Sequence, residues 1–254
     1  MRNLLIMTML MLTMFPAVAA PDPSTNVAIF NGVIDDETVD EFLRKYGKRT
    51  DLTEFSVASE GGELLASIRL AKWIRLKNLN VRVRVMCNSA CANYVFIAGR
   101  EKIIENGASV AWHGDAEQMD FREMVASYRK LVVTQNDGGK LTRAEVAHLK
   151  EHKMRFVGLV KAQHAQSDFY QSVGVDPRMG RFGQEPISYP SDGWTFTVRA
   201  MKLLRINNVS APEKYGSNIY FRDIATHATM VNGGPLLVFD SLDGKNIVSI
   251  PLQH

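Results

Sequence analysis

No basic block interleaved with aromatic residues runs through the 254 residues, and the formal charge of +3 is spread along the chain. A nucleic-acid groove is therefore excluded as the working reading. No fixed-period repeat and no low-complexity tract occurs, which excludes solenoid and linker-type organisation. Apolar runs long enough to cross a bilayer, roughly 20 residues, are missing as well. Cysteine is used only twice, at Cys87 and Cys91. The 46% apolar content is enough for one substantial domain, or one domain with appendages.

The first twenty residues differ from the rest. Arg2 precedes an uncharged apolar run over 4–15, and Ala17-Val18-Ala19 offers a small-residue cleavage pattern. This composition predicts a signal peptide over 1–20 and a periplasmic or secreted location, with a retained N-terminal membrane anchor as the alternative. No cysteine follows the run, which argues against a lipoprotein anchor. Export implies an oxidising compartment, where two cysteines four apart can be bridged.

The remainder alternates short apolar runs with helical periodicity. Strands are predicted at 27–30, 54–58, 81–85 and 109–112, with helices at 35–46, 64–78 and 90–98 between them. This order reads as α/β, built from parallel βαβ units with right-handed crossovers. A helical insert follows over about 115–173, its second helix opened by a Thr142–Glu145 capping box. A short strand at 195–198 and a helix to about 204 come next. The main domain is taken as 21–210, and a β-rich C-terminal extension as 211–254.

In such sheets ligands bind at the carboxyl ends of the strands. Gly61-Gly62, Ser89 and His113 each follow a predicted strand directly, so all three fall on one sheet edge. A serine hydroxyl becomes a nucleophile when a base takes its proton and amides receive the developing charge. Ser89 has the position for the nucleophile and His113 for the base, with the Gly62 and Ala90 amides as oxyanion donors. Taken singly, Ser89 also reads as a helix N-cap, and His113 as a strand-end histidine bonded to backbone.

Four segments resemble the ClpP/crotonase superfamily: Ile29-Phe30-Asn31-Gly32-Val33-Ile34-Asp35-Asp36, Ser59-Glu60-Gly61-Gly62, Cys87-Asn88-Ser89-Ala90 and Ala111-Trp112-His113. The separations, 28 from Gly61 to Ser89 and 24 from Ser89 to His113, are close to those of the Clp protease proteolytic subunit. The resemblance covers about 26–114 and resumes weakly at 192–207. It implies a ClpP/crotonase-like fold and a Ser-His-Asp hydrolase acting on peptide or other acyl substrates without a cofactor. Aligning the resumed segment makes Asp192 the third member, with Asp168 and Asp176 as rivals. Assembly of several copies is a property of such folds and is expected by analogy. An exported protein would not meet a cytosolic ATPase, so no such partner is expected. Glu60 stands where the family has proline, Asn88 where it has a small residue, and the two cysteines have no counterpart in the Clp subunit.

Two other chemistries compete. His148-Leu149-Lys150-Glu151-His152 satisfies the inverted zincin pattern, with Glu185 or Glu213 available as a third zinc ligand. The bland reading is a solvated helix face, given Lys150, Lys153 and Arg155 around the histidines. Cys87 and Cys91 read as a structural disulfide, with two buried thiols as the alternative; a redox pair is disfavoured because their spacing is C-x-x-x-C and not C-x-x-C. A crotonase-like domain that binds without catalysis is the remaining alternative.

Overall fold

The computed structural model describes residues 26–184, 193–224, 236–243 and 248–250. The predicted signal peptide and Asp192 lie outside these. The fold is α/β, with a main sheet ordered β1-β2-β3-β4-β7 and β5 also paired to β3. Its strands are β1 (Val27–Asn31), β2 (Glu54–Ser59), β3 (Asn80–Asn88), β4 (Lys102–Ile104), β5 (Ser109–Ala111) and β7 (Val209–Ser210). Every pairing in it is parallel.

The crossover helices form where the sequence carries both a start signal and an apolar stripe. Helix α1 (Asp36–Tyr46) opens on a reciprocal capping box, Thr38 N–H donating to Asp35 at 2.8 Å and Asp35 N–H to Thr38 Oγ1 at 3.0 Å. Its acidic first turn and basic last turn both suit the helix dipole. Phe42 on its buried face meets Phe30, Phe55 and Trp73 at ring-centroid distances of 5.6, 5.4 and 5.2 Å. Helix α2 (Leu64–Leu76) buries Ile68, Ala71 and Ile74 as its periodicity predicts, and Asn78 stops it with a left-handed φ of 53°.

Strand β3 organises the molecule because it changes partners along its length. Val81 to Val83 pair with β4, whereas Met86 to Asn88 pair with β5. The alternation expected over Val81-Arg82-Val83-Arg84-Val85 holds to Arg84, with Val81 and Val83 buried and the arginines half-buried, and breaks at Val85, which is exposed. Arg82 bonds Glu54 at 2.8 Å on the wetter face. Beyond Val83 the pairing with β2 is irregular, since Val57 faces Val83 but Ser59 faces Cys87. Three-residue β4 was too short for its periodicity to separate it from the loop around it.

The insert is a pair of helices, α3 (Met119–Asn136) and α4 (Arg143–Val173). Tyr128 and Phe156 stack between them at 4.0 Å. The predicted Thr142–Glu145 capping box is present. The last turns of α4 dock on the domain, where Tyr170 stacks on Tyr94 at 5.9 Å. A 3₁₀ turn (Pro177–Gly180) occupies what reads in sequence as plain loop.

A second sheet of three strands, β6 (Gly193–Phe196), β8 (Leu236–Phe239) and β9 (Val248–Ile250), follows. Strands β6 and β8 run parallel, and β9 returns antiparallel. Helices α5 (Val198–Leu203) and α6 (Asn218–Ile224) flank them in sequence. The second sheet meets the first at Trp112 and Trp194, which exchange backbone hydrogen bonds of 2.7 and 2.8 Å. The residue before His113 is thereby held through both of its backbone groups.

Candidate functional site

The pairing of β3 with β5 sets the site. Asn88 lies beside Ala111, and Ser89 N–H donates to the Ala111 carbonyl at 2.8 Å. Ser89 follows Asn88 by one residue and His113 follows Ala111 by two. Neighbouring strands are about 4.8 Å apart, so both half-buried residues emerge at the same end of one strand pair.

Ser89 has φ of +57°, a left-handed conformation that non-glycine residues adopt at a cost of about 1–2 kcal/mol. It stands on a sharp turn between β3 and a helical segment whose residues Cys91–Phe96 form a π-helical turn. Such strained strand-to-helix turns lift a nucleophile clear of its own backbone, and π turns recur at functional positions. Among the described residues nothing hydrogen-bonds the Ser89 hydroxyl. A buried disulfide joins Cys87 to Cys91 across a Cα separation of 5.1 Å, bracketing the serine.

The glycine pair divides its duties. A Cβ on Gly61 would come within 2.5 Å of the Asn88 carbonyl oxygen, 2.8 Å of Ser89 Cβ and 2.9 Å of Ala90 N, so only glycine lets this loop lie against the serine turn. Gly61 N–H donates to Ser59 Oγ at 3.0 Å, fixing the loop. Gly62 faces away, its absent Cβ pointing at the Ile34 carbonyl oxygen 2.1 Å off. Among the described residues, the Gly62 and Ala90 amides donate none of the turn, loop or cap hydrogen bonds. A cleft of about 760 Å³ opens beside Gly62, lined by Leu64, Leu65, Phe121, Met124 and Leu159 together with the charged Asp36, Glu63 and Arg155.

Below His113 lies a polar cluster that the sequence did not reveal. The His113 carbonyl accepts from Gln184 at 3.1 Å, and the Gly114 carbonyl accepts from Asn93 Nδ2 at 2.6 Å. Asp115 is only 2% exposed. Burial raises its carboxyl to about 6, against the Glu117 N–H it accepts and the charge of Arg181. Its Oδ1 takes the Glu117 N–H at 2.8 Å, while among the described residues Oδ2 has no hydrogen-bond partner. Gln166 accepts from Tyr94 and from Ala116 N–H alongside. No pattern in the sequence marks Asp115 or Asn93, because their burial depends on α4 and the 3₁₀ turn folding back over them.

The other expectations fall elsewhere. Asp168 is exposed on α4, and Asp176 caps the 3₁₀ turn while pairing with Arg178 at 2.7 Å. His148 and His152 lie on a largely exposed stretch of α4 with ring centroids 4.4 Å apart. Among the described residues, no group of three His, Cys, Asp or Glu side chains is arranged to hold a metal ion. No helix among them is long and apolar enough to cross a membrane.

No family model matches the chain, and no curated protein matches it. Among solved structures it is similar to a ClpP1 mutant from Listeria monocytogenes, at 16% identity over 45% of this chain and 74% of that one. The TM-score is 0.34, so the likeness bears on neither the site nor its chemistry.

Proposed function

We propose that the protein is a serine hydrolase, peptidase-like, acting on a peptide or other acyl substrate. The observation that carries this reading is Ser89 at φ +57° on the strand-to-helix turn, one strand from His113 at the same sheet edge. In the proposed reaction Ser89 Oγ attacks the acyl carbonyl carbon as His113 takes the hydroxyl proton. The Gly62 and Ala90 amides donate to the oxyanion of the tetrahedral intermediate. His113 then gives its proton to the leaving group, and water releases the acyl chain by the same steps in reverse order. The Ser89–His113 hydrogen bond closes when substrate enters, as such bonds commonly do. Asp192, outside the described residues, is the proposed carboxylate that orients His113. The largely apolar cleft beside Gly62, with Asp36, Glu63 and Arg155 also in its lining, supports an acyl chain lying next to the oxyanion donors. Export to the periplasm or beyond, and assembly of several copies, belong to the same proposal.

A fluorophosphonate probe tests it. Labelling of the wild type that disappears in Ser89→Ala and falls by at least a hundredfold in His113→Ala is expected, general-base removal being worth roughly 10²–10⁴-fold. A wild type that takes no label would overturn the hydrolase reading in favour of a binding role for the same fold.

A further inference from the structure

Asn93 is 1% exposed and stands between Tyr94, Val95, Phe96 and other wholly buried apolar residues. Burying an amide costs about 1–3 kcal/mol where a group is left unpaired, and one hydrogen bond returns about 0.5–1.5 kcal/mol. Among the described residues Asn93 Oδ1 has no hydrogen-bond partner, so the amide brings no net gain in stability over an apolar residue of similar shape. Its backbone N–H donates to the Ser89 carbonyl at 2.9 Å, the i to i−4 bond of the first helical turn that any non-proline residue here would make. What is particular to asparagine is the side chain, whose Nδ2 donates to the Gly114 carbonyl at 2.6 Å. The side chain thus ties the helical turn that follows Ser89 to the residue after the histidine. The amide must present its nitrogen to Gly114, because the partner is a carbonyl oxygen.

We infer that Asn93 is a positioning residue that locks the Ser89 turn and the His113 loop into one register. The inference rests on the Ser89–His113 reading for its catalytic consequence, although the tie itself does not. Gly114 has φ of +147°, a conformation that favours glycine, so the chain turns sharply after His113 at the point where Asn93 holds the carbonyl. Gln184 holds the preceding carbonyl from the surface side, and Asn93 holds this one from the core. A displacement of about 1 Å between nucleophile and base is enough to slow acyl transfer by roughly a hundredfold.

Asn93→Leu keeps the branched outline with bulkier methyl groups and removes the donor; Asn93→Asp keeps the shape and sets a carboxylate against the Gly114 carbonyl. Both are measured by fluorophosphonate inactivation, hydrogen–deuterium exchange and thermal melting. The inactivation rate constant should fall at least tenfold in both, with probe affinity unchanged. Exchange over residues 109–116 should quicken while that over 26–58 does not. Asn93→Leu exchanges an unpaired Asn93 Oδ1 for an unpaired Gly114 carbonyl, so its melting temperature should stay close to that of the wild type, separating position from stability. Unchanged exchange over 109–116, or an unchanged inactivation rate constant, would overturn the inference. If the wild type takes no label, the hydrolase reading fails by itself. The tie is then judged by exchange alone: faster exchange over 109–116 in both variants upholds it, and unchanged exchange refutes it.

Discussion

The β3–β5 edge and the α3–α4 helical pair both offered catalytic residue types in sequence, and they fold into opposite environments. At the sheet edge Ser89 is strained, bracketed by a buried disulfide, pressed on by Gly61 and set beside an adjoining strand that carries His113. On α4, His148 and His152 face each other across a turn of helix with exposed Glu151, Lys150 and Lys153 around them. A five-residue motif on one helix needs no other element to satisfy it. A site drawn from three strand ends exists only if the sheet forms in one register, so its convergence says more about chemistry than the motif does.

The comparison breaks most visibly at Gly61. Gly61→Ala meets backbone atoms at 2.5 and 2.9 Å and carries a φ of +97° that alanine avoids. The loop must move off the serine turn, and labelling of Ser89 should fall by roughly a hundredfold with a destabilisation of about 2–4 kcal/mol. Labelling within twofold of wild type would show that the contact does not shape the site. Next in size is the disulfide. Cys87→Ala/Cys91→Ala opens a short loop, removing about 2 kcal/mol by chain entropy and lowering the melting temperature by roughly 5 °C. If the bridge braces the turn, reduction of the wild type slows labelling as the double variant does; labelling indifferent to reductant leaves it a stabilising link only.

Asp115 gives an effect of similar size, with a sign that pH reveals. Its folded pKa of about 6 lies above the ordinary 3.8, so the folded chain binds the proton more tightly than the unfolded one. That contribution is fully present below about pH 4 and is lost as pH rises through about 6. The difference is of the order of 2–3 kcal/mol. Asp115→Asn should therefore gain stability over the wild type between pH 4 and pH 7. Equal gains at both pH values, measured by denaturant melts, would mean that Asp115 is not protonated preferentially in the fold. Tyr94, Tyr170, Arg181 and Glu117 are the ionisable groups acting on or alongside it. The smallest effect belongs to the helical pair. His148→Ala/His152→Ala should change stability by no more than about 0.5 kcal/mol and leave labelling intact, as solvated surface changes do. Loss of activity together with bound zinc would reverse the ranking of the two regions.

Much of the fold was legible because local chemistry and global structure agree. The Asp35–Thr38 and Thr142–Glu145 boxes open helices where predicted, Asn78 ends one, and Val81-Arg82-Val83-Arg84 alternates across the sheet as its pattern requires. The short β4 was not legible, since three residues carry too little periodicity to stand out. Nor was the π-helical turn, because nothing in Cys91 to Phe96 distinguishes a widened turn from an α-helical one. The predicted strand at 195–198 lies two residues earlier, at Gly193–Phe196, where pairing with β8 and the Trp112–Trp194 bridge decide its ends.

At the site, the positions of Gly61, Gly62, Ser89 and His113 at strand ends followed from order and periodicity alone, because a parallel sheet sends every strand's carboxyl end to one edge. The pairing of Cys87 with Cys91 followed from their spacing. Which glycine touches the serine, and which buried groups stand behind the histidine, did not. Those depend on the offset between β2 and β3 and on α4 returning over Tyr94, Asn93 and Asp115. Contacts between residues distant in sequence fix such details, and their geometry leaves no local signal in the chain.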